Sequence, residues 1–122
     1  MSRETAGPRF AVHVDEEALA EDLAHASDAA RAAISPVVKQ LESAGIPAQW
    51  LKRCEAEGRD GTRLPGCVKF YIPQPAGPWG AVLTADKTAD APRLVLLAVG
   101  ERHPVAASRP SVYAIAHSRL NG

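Results

Sequence analysis

Two neighbouring residues, Arg102 and His103, follow the most apolar stretch of the chain, Arg93–Val99. The guanidinium group of an arginine stays charged at any working pH, and its fixed fork can hold two phosphate oxygens at once. The imidazole of a histidine exchanges a proton near neutral pH, so it can act as a general acid or base. This pair therefore has the residue types that chemistry on a phosphate group needs.

A third candidate, Lys69, lies in a segment where polar and apolar residues alternate. Val68 and Phe70 share one face of the predicted strand, and Lys69 and Tyr71 share the other. A phosphate can pair with the lysine, and a nucleotide base can stack on an aromatic ring. The alternation therefore predicts a basic and aromatic face on this strand.

The first half of the chain predicts one strand followed by helices. Arg9–Val14 is typical of a short strand, and Asp15 is a good N-cap for a helix over 16–26. The next helix has two interpretations, because Pro36 either kinks a helix that begins near Asp28 or stands at the first position of a new one. In both interpretations the helix ends at Gly45.

Pro47 predicts the start of one more short helix, with Trp50 on its apolar face. From Cys67 onward the chain predicts three consecutive strands, of which Trp79–Ala85 is the second and Arg93–Val99 is a central strand covered on both faces. A short helix over Val112–Leu120 follows. The fold class predicted is α+β: a small antiparallel sheet of about four strands, with the N-terminal helices packed on it and a short C-terminal helix.

The composition is that of one folded domain. The 122 residues are 46% apolar and 23% charged, which predicts a single domain over 1–122 with a flexible tail over 1–8. The two cysteines, Cys54 and Cys67, lack metal-ligand spacing and are expected to be reduced thiols. No secretion signal or apolar run of ~20 residues occurs, so a soluble, cytoplasmic protein without a membrane partner is expected.

The formal net charge is zero, with 14 basic and 14 acidic residues. Residues 1–45 hold eight acids and four bases, so they carry −4 and the remainder carries +4. This asymmetry fits a second half that faces an anion, although an ordinary solvated surface gives the same count.

Five segments occur in a fixed order along nearly the whole chain. These are a strand that runs into an acid-capped helix, a Pro-Gly-Cys-Val-Lys strand, a strand led by tryptophan, an apolar strand that ends in Val-Gly-Glu-Arg, and a helix that opens with Val-Tyr: Phe10–Leu19, Leu64–Ile72, Trp79–Ala85, Leu97–His103 and Val112–Arg119. In this order they resemble the RelE/ParE toxin superfamily.

The resemblance implies the toxin of a type II toxin–antitoxin pair. RelE-like members bind in the ribosomal A site and cut mRNA by attack of the 2′-hydroxyl on its own phosphate, with neither a metal nor another cofactor. The partners implied are mRNA, the ribosome and a cognate antitoxin protein. ParE-like members share the fold but inhibit DNA gyrase without catalysis, and a member that has lost its catalytic residues would serve only as an interaction module.

Carried over residue by residue, the resemblance gives roles to several side chains. Arg102 matches the arginine that stabilises the phosphate, Lys69 a lysine near the scissile phosphate, and Tyr113 the tyrosine that stacks on a base or assists proton transfer. His103 is the candidate general acid or base. The residues expected to contact RNA are Tyr71, Trp79, Arg109, His117 and Arg119. The first four also have structural explanations. Arg102 and Lys69 could be solvated charges, His103 an exposed loop residue, and Tyr113 a helix residue packed on the sheet.

Two positions depart from the family pattern. Tyr71 stands where RelE-like toxins carry a second basic residue, and Gly80 stands where an arginine follows the aromatic residue of the next strand. Fewer cations mean fewer phosphate contacts and weaker RNA binding. Gly80 favours the non-enzymatic alternatives, whereas the pair Arg102 and His103 favours the nuclease.

Overall fold

The computed structural model describes residues 8–54, 64–72, 78–86, 88, 90–104 and 110–121. The predicted tail over 1–8 therefore lies outside the described residues except for Pro8. Nine elements and one turn of 3-10 helix, Ala48–Trp50, make up the described fold. The strands are β1 Arg9–Val14, β2 Ile46–Pro47, β3 Lys52–Arg53, β4 Cys67–Tyr71, β5 Trp79–Ala85 and β6 Arg93–Glu101, and the helices are α1 Glu16–Ala24, α2 Asp28–Ala44 and α3 Val112–Asn121.

The strands form one six-stranded sheet in the order β2-β1-β6-β5-β4-β3. Strand β1 is parallel to β6, with Val12 opposite Leu94, and the other pairs are antiparallel. The prediction of a small antiparallel sheet of about four strands was therefore wrong. The pairing of β1 with β6 joins opposite ends of the chain, which no local pattern reveals. Strands β2 and β3 have two residues each, too few to show an alternation.

The sheet is curled, because its two outer strands are joined by a short link. Only residues 48–51 separate β2 from β3, and such a link spans at most about 17 Å. Six flat strands would hold the outer two about 24 Å apart. The short helix predicted to begin at Pro47 is a single turn of 3-10 helix, Ala48–Trp50. Its predicted continuation towards Cys54 was wrong, because Lys52 and Arg53 form β3. Trp50 in this link stacks on Phe70 with ring centroids 5.5 Å apart.

The helix starts follow their capping residues. The Asp15 side chain accepts hydrogen bonds from the backbone N–H groups at the start of α1, as predicted, and α1 ends at Ala24. The Ser27 hydroxyl accepts the N–H of Ala30 and begins α2, which continues through Pro36 to Gly45. The helix that begins near Asp28 is therefore confirmed, and Pro36 does not start a new one. Gly45 has a φ of 76°, a conformation that glycine adopts without the cost of a Cβ.

Pro36 lies on the exposed side of α2. It lacks the N–H that would bond to the carbonyl of Ala32, which is also exposed, so water can serve that carbonyl. We expect Pro36→Ala to raise the free energy of unfolding by about 1–3 kcal/mol, because it restores one helical hydrogen bond and removes the ring's steric conflict. Urea unfolding followed by circular dichroism measures this. An unchanged or lower stability would contradict it.

The sheet is covered by helix on both faces. One face packs against α2, whose buried residues recur every three or four positions: Ala30, Ile34, Val38 and Leu41. They share a core with Val12, Val14, Phe70, Ile72, Leu83 and Leu96. The other face packs against α3 through Val112 and Ala116, which meet Cys67, Val82 and Ala98. Helices on both faces bury most of β5 and the second half of β6, and the sequence predicted this two-sided cover for β6.

An ion pair joins α1, α3 and the exposed side of β6. Strand β1 pairs with β6 only as far as Leu96. Beyond Leu96, the backbone groups of β6 that face the β1 side therefore have no partner strand. The Asp22 carboxylate accepts the N–H of Val99 at 2.9 Å, and Arg119 donates to the carbonyl of Leu97 at 2.8 Å. Arg119 also donates to Asp22 at 2.8 and 2.9 Å. The hydrogen bond to Asp22 raises the pKa of Arg119. Asp22 and Arg119 thus supply the hydrogen bonds to β6 that β1 does not reach.

Across the described ranges, no helix is long and apolar enough to cross a membrane.

Candidate functional site

The predicted basic face of β4 lies on the same side of the sheet as α3. Phe70 and Ile72 are buried in the core against α2, so Lys69 and Tyr71 project from the opposite face. Both are half-buried. The alternation read from the sequence is therefore confirmed.

Three cations converge on the ring of Tyr71. The guanidinium carbon of Arg102 lies 3.8 Å from the ring centroid, and the Nζ atoms of Lys52 and Lys69 lie 5.3 and 5.6 Å from it. All three are within the distance at which a cation is attracted to an aromatic ring. Lys52 is directly opposite Lys69 in the pairing of β3 with β4, which puts the two side chains on one face.

Tyr113 completes the group from α3. The Nζ of Lys69 lies 5.5 Å from the centroid of its ring. The position of Tyr113 follows from the start of α3, where the Ser111 hydroxyl accepts the N–H of Ala114 at 3.2 Å. Val112 packs over Gly100 of β6. We call the resulting group the basic–aromatic cluster: Lys52, Lys69, Tyr71, Arg102 and Tyr113.

The cluster has an excess of positive charge. Among the described residues, no carboxylate lies within ion-pair distance of Lys52, Lys69 or Arg102. Like charges held near one ring repel one another, and a phosphate between them would relieve that repulsion. The carboxylates of α1 that reach α3, Glu21 and Asp22, pair with Arg119 and not with a cation of the cluster. Zero net charge therefore coexists with a local cationic site.

Arg102 is the most constrained member of the cluster. Its backbone N–H donates to the carbonyl of Pro78 at 2.7 Å, which fixes the backbone just after β6. Its Nε is buried and has no hydrogen-bond partner among the described residues. The cluster can therefore hold and polarise a bound anion, and Arg102 offers the only planar, bidentate donor within it.

The other predicted site residues lie elsewhere. Trp79 is buried on the opposite face, in the core against α2. Arg119 is about two turns along α3 from Tyr113 and is held by Asp22. These placements do not bring either side chain to the cluster. Arg109 lies outside the described residues.

The two candidate histidines are exposed. His103 follows Arg102 in the bend after β6, and His117 lies one helical turn beyond Tyr113, on the same side of α3. Their roles in proton transfer and RNA contact stay predictions.

The sequence analysis missed Lys52. It was assigned to a short helix after Pro47, whereas it lies on the edge strand β3 opposite Lys69. Two residues of strand leave no periodic signal. Only the tertiary pairing of β3 with β4 identifies Lys52 as the second lysine of the site.

Two thiols lie beside the cluster, and their state limits the chemistry available. The Cys54 N–H donates to the carbonyl of Cys67 at 3.2 Å across β3 and β4. Burial, reinforced by the neighbouring Cys67 and opposed by Lys69, raises the pKa of Cys54 to about 11. Burial also raises the pKa of Cys67, against a hydrogen bond to Thr84. Both thiols are protonated at neutral pH, so neither is an activated nucleophile.

No protein-family model, curated protein or solved structure matches this chain.

Proposed function

We propose that this protein is an endoribonuclease toxin of the RelE type, with the basic–aromatic cluster as its RNA-binding and catalytic surface. One observation carries the proposal. Four residues chosen from the sequence, Lys69, Tyr71, Arg102 and Tyr113, lie together on one face of the sheet. They come from β4, the end of β6 and α3, so their proximity is a property of the fold.

The proposed reaction needs no nucleophile from the protein. The 2′-hydroxyl of the RNA loses a proton and attacks the adjacent phosphorus, and the bond to the 5′-oxygen breaks. The products are a 2′,3′-cyclic phosphate and a 5′-hydroxyl end, so the proton removed from one oxygen is balanced by one given to the other. Arg102 and Lys69 stabilise the extra negative charge of the phosphorane. His103 is the proposed proton-transfer group, since an imidazole can both accept and donate a proton near neutral pH.

Tyr113 is the proposed stacking surface for a base next to the scissile phosphate. Lys52 adds a cation that neutralises a flanking phosphate. The proposed partners are mRNA on the ribosome and a cognate antitoxin, which would cover the cluster, and the proposed compartment is the bacterial cytoplasm. No metal or other cofactor takes part in the proposed reaction.

Regulated expression in a bacterial host tests the proposal. We expect wild type to arrest growth and to produce new mRNA 5′ ends, and Arg102→Ala to do neither, because the phosphate loses its bidentate donor. Mapping of mRNA ends is the measurement. Arg53→Ala is the control: Arg53 is an exposed arginine that lies opposite Val68, on the other face of the sheet, so this variant should remain toxic.

Other outcomes distinguish the alternatives. Growth arrest with intact mRNA and relaxed plasmid DNA would contradict the nuclease and indicate a gyrase inhibitor of the ParE type. The absence of growth arrest would indicate an interaction module without toxic activity. Toxicity unaffected by Arg102→Ala would refute the role given to that residue. Cleavage products with a 2′,3′-cyclic phosphate and a 5′-hydroxyl end would support the proposed attack by the 2′-hydroxyl, whereas a 3′-hydroxyl and a 5′-phosphate would contradict it.

A further inference from the structure

The two residues that depart from the RelE pattern, Tyr71 and Gly80, are direct neighbours in the sheet. They lie opposite each other in the pairing of β4 with β5. Both contact the same side chain, Arg102. This shared contact gives the two departures one structural explanation.

Gly80 provides the space that the stem of Arg102 occupies. A Cβ at position 80 would lie 3.0 Å from Cγ and 3.1 Å from Cδ of Arg102, closer than ordinary van der Waals contact. The stem therefore runs flat across the backbone of β5. The backbone N–H of Arg102 donates to the carbonyl of Pro78, just before β5, at 2.7 Å, so the start of the stem has little room to shift.

Tyr71 receives the other end of the side chain. With its carbon 3.8 Å from the ring centroid, the guanidinium group covers one face of the ring. A planar cation stacked on a ring keeps its outer N–H groups free to bind an anion at their edge. That face of Tyr71 is then closed to a nucleotide base, which leaves the ring of Tyr113 as the cluster's stacking surface.

We propose that Tyr71 and Gly80 are positioning residues, which together hold the guanidinium group of Arg102 in place before RNA binds. The inference rests on the proposed function, because it assigns Arg102 the phosphate. Ordering a long side chain in advance removes an entropic cost that binding would otherwise bear. The missing basic residues at positions 71 and 80 are thus replaced by a more rigidly held arginine.

The arrangement itself can be tested without RNA. In the full-length protein, NMR signals of the Arg102 δ-methylene protons should be shifted upfield by the ring of Tyr71. Tyr71→Phe should keep that shift, whereas Tyr71→Leu and Gly80→Ala should reduce it. Unchanged methyl signals from Val82 and Val112 show that a variant is folded. If a folded Tyr71→Leu retains the shift, the proposal is wrong.

The consequence for catalysis has its own readout. Tyr71→Phe should retain the cleavage rate, and Tyr71→Leu and Gly80→Ala should each lower kcat about 10- to 100-fold with a smaller change in KM. In an Arg102→Ala background neither substitution should lower kcat further, since both act through that arginine. Additive losses would overturn the proposal.

These two measurements separate the two hypotheses. If wild type does not cleave RNA but the NMR pattern holds, the proposed function fails and the positioning of Arg102 stands. If Arg102→Ala abolishes cleavage but Tyr71→Leu and Gly80→Ala cleave normally, the function stands and the positioning role fails.

Discussion

Replacing Arg102 with lysine is expected to lower the rate constant of RNA cleavage by about two to three orders of magnitude. Lysine restores the charge but offers a single point donor, whereas the planar guanidinium binds two phosphate oxygens at once. Lysine also cannot stack flat on Tyr71, as the guanidinium does with its carbon 3.8 Å from the ring centroid. Single-turnover cleavage of a labelled mRNA on purified ribosomes measures the effect.

Two further variants show whether charge or geometry is responsible. Arg102→Ala should be no more than about tenfold slower than Arg102→Lys, if the fork matters more than the charge. Lys52→Ala should mainly weaken binding and lower its salt dependence by about one counterion, with a small effect on the chemical step. Nearly full activity in Arg102→Lys would contradict the bidentate role.

Replacing Asp22 with alanine is expected to destabilise the fold by about 3–5 kcal/mol. The carboxylate is 1% exposed and its partner Arg119 is 20% exposed, so removing it leaves a poorly solvated cation. It also leaves the N–H of Val99 without its acceptor, 2.9 Å away in wild type. The free energy of unfolding, measured by urea titration, tests the prediction.

Glu21 supplies the matched control. Its carboxylate lies 3.0 Å from the same guanidinium group but is 63% exposed, so Glu21→Ala should cost less than about 1 kcal/mol. Asp22→Asn keeps an acceptor for Val99 while losing the charge, and it should fall between the two alanine variants. Equal effects of Asp22→Ala and Glu21→Ala would show that the buried pair contributes no more than a surface contact.

Much of the candidate site was predictable, because each residue type has a definite chemistry. Arg102, Lys69 and Tyr113 were chosen because they match the RelE/ParE pattern and carry groups that bind phosphates or bases, and alternation along β4 put Lys69 and Tyr71 on one face. Only the alternation is an inference from the local chain alone. Trp79 and Arg119 were chosen by the same reasoning, yet the fold uses one in a core and the other in an ion pair, because burial depends on residues far away in sequence.

The meaning of Gly80 also depended on the fold. In the sequence, Gly80 stands where the RelE pattern has an arginine. In the sheet, it lies opposite Tyr71 and its lack of a Cβ makes room for the stem of Arg102. Close approach between a backbone and a distant side chain leaves no mark on composition or periodicity.

The sequence by itself determined the local elements of this protein: α1 with its Asp15 cap, the alternating strand β4, the apolar strand β6 and the closing helix α3. Capping, periodicity and apolar runs act over a few residues, so one segment contains the whole signal. Only the tertiary structure decided that β1 lies parallel to β6, that the sheet has six strands, and that Lys52 joins the cluster. Those outcomes depend on pairings between distant segments, whose free energy comes from the shared cores on the two faces of the sheet.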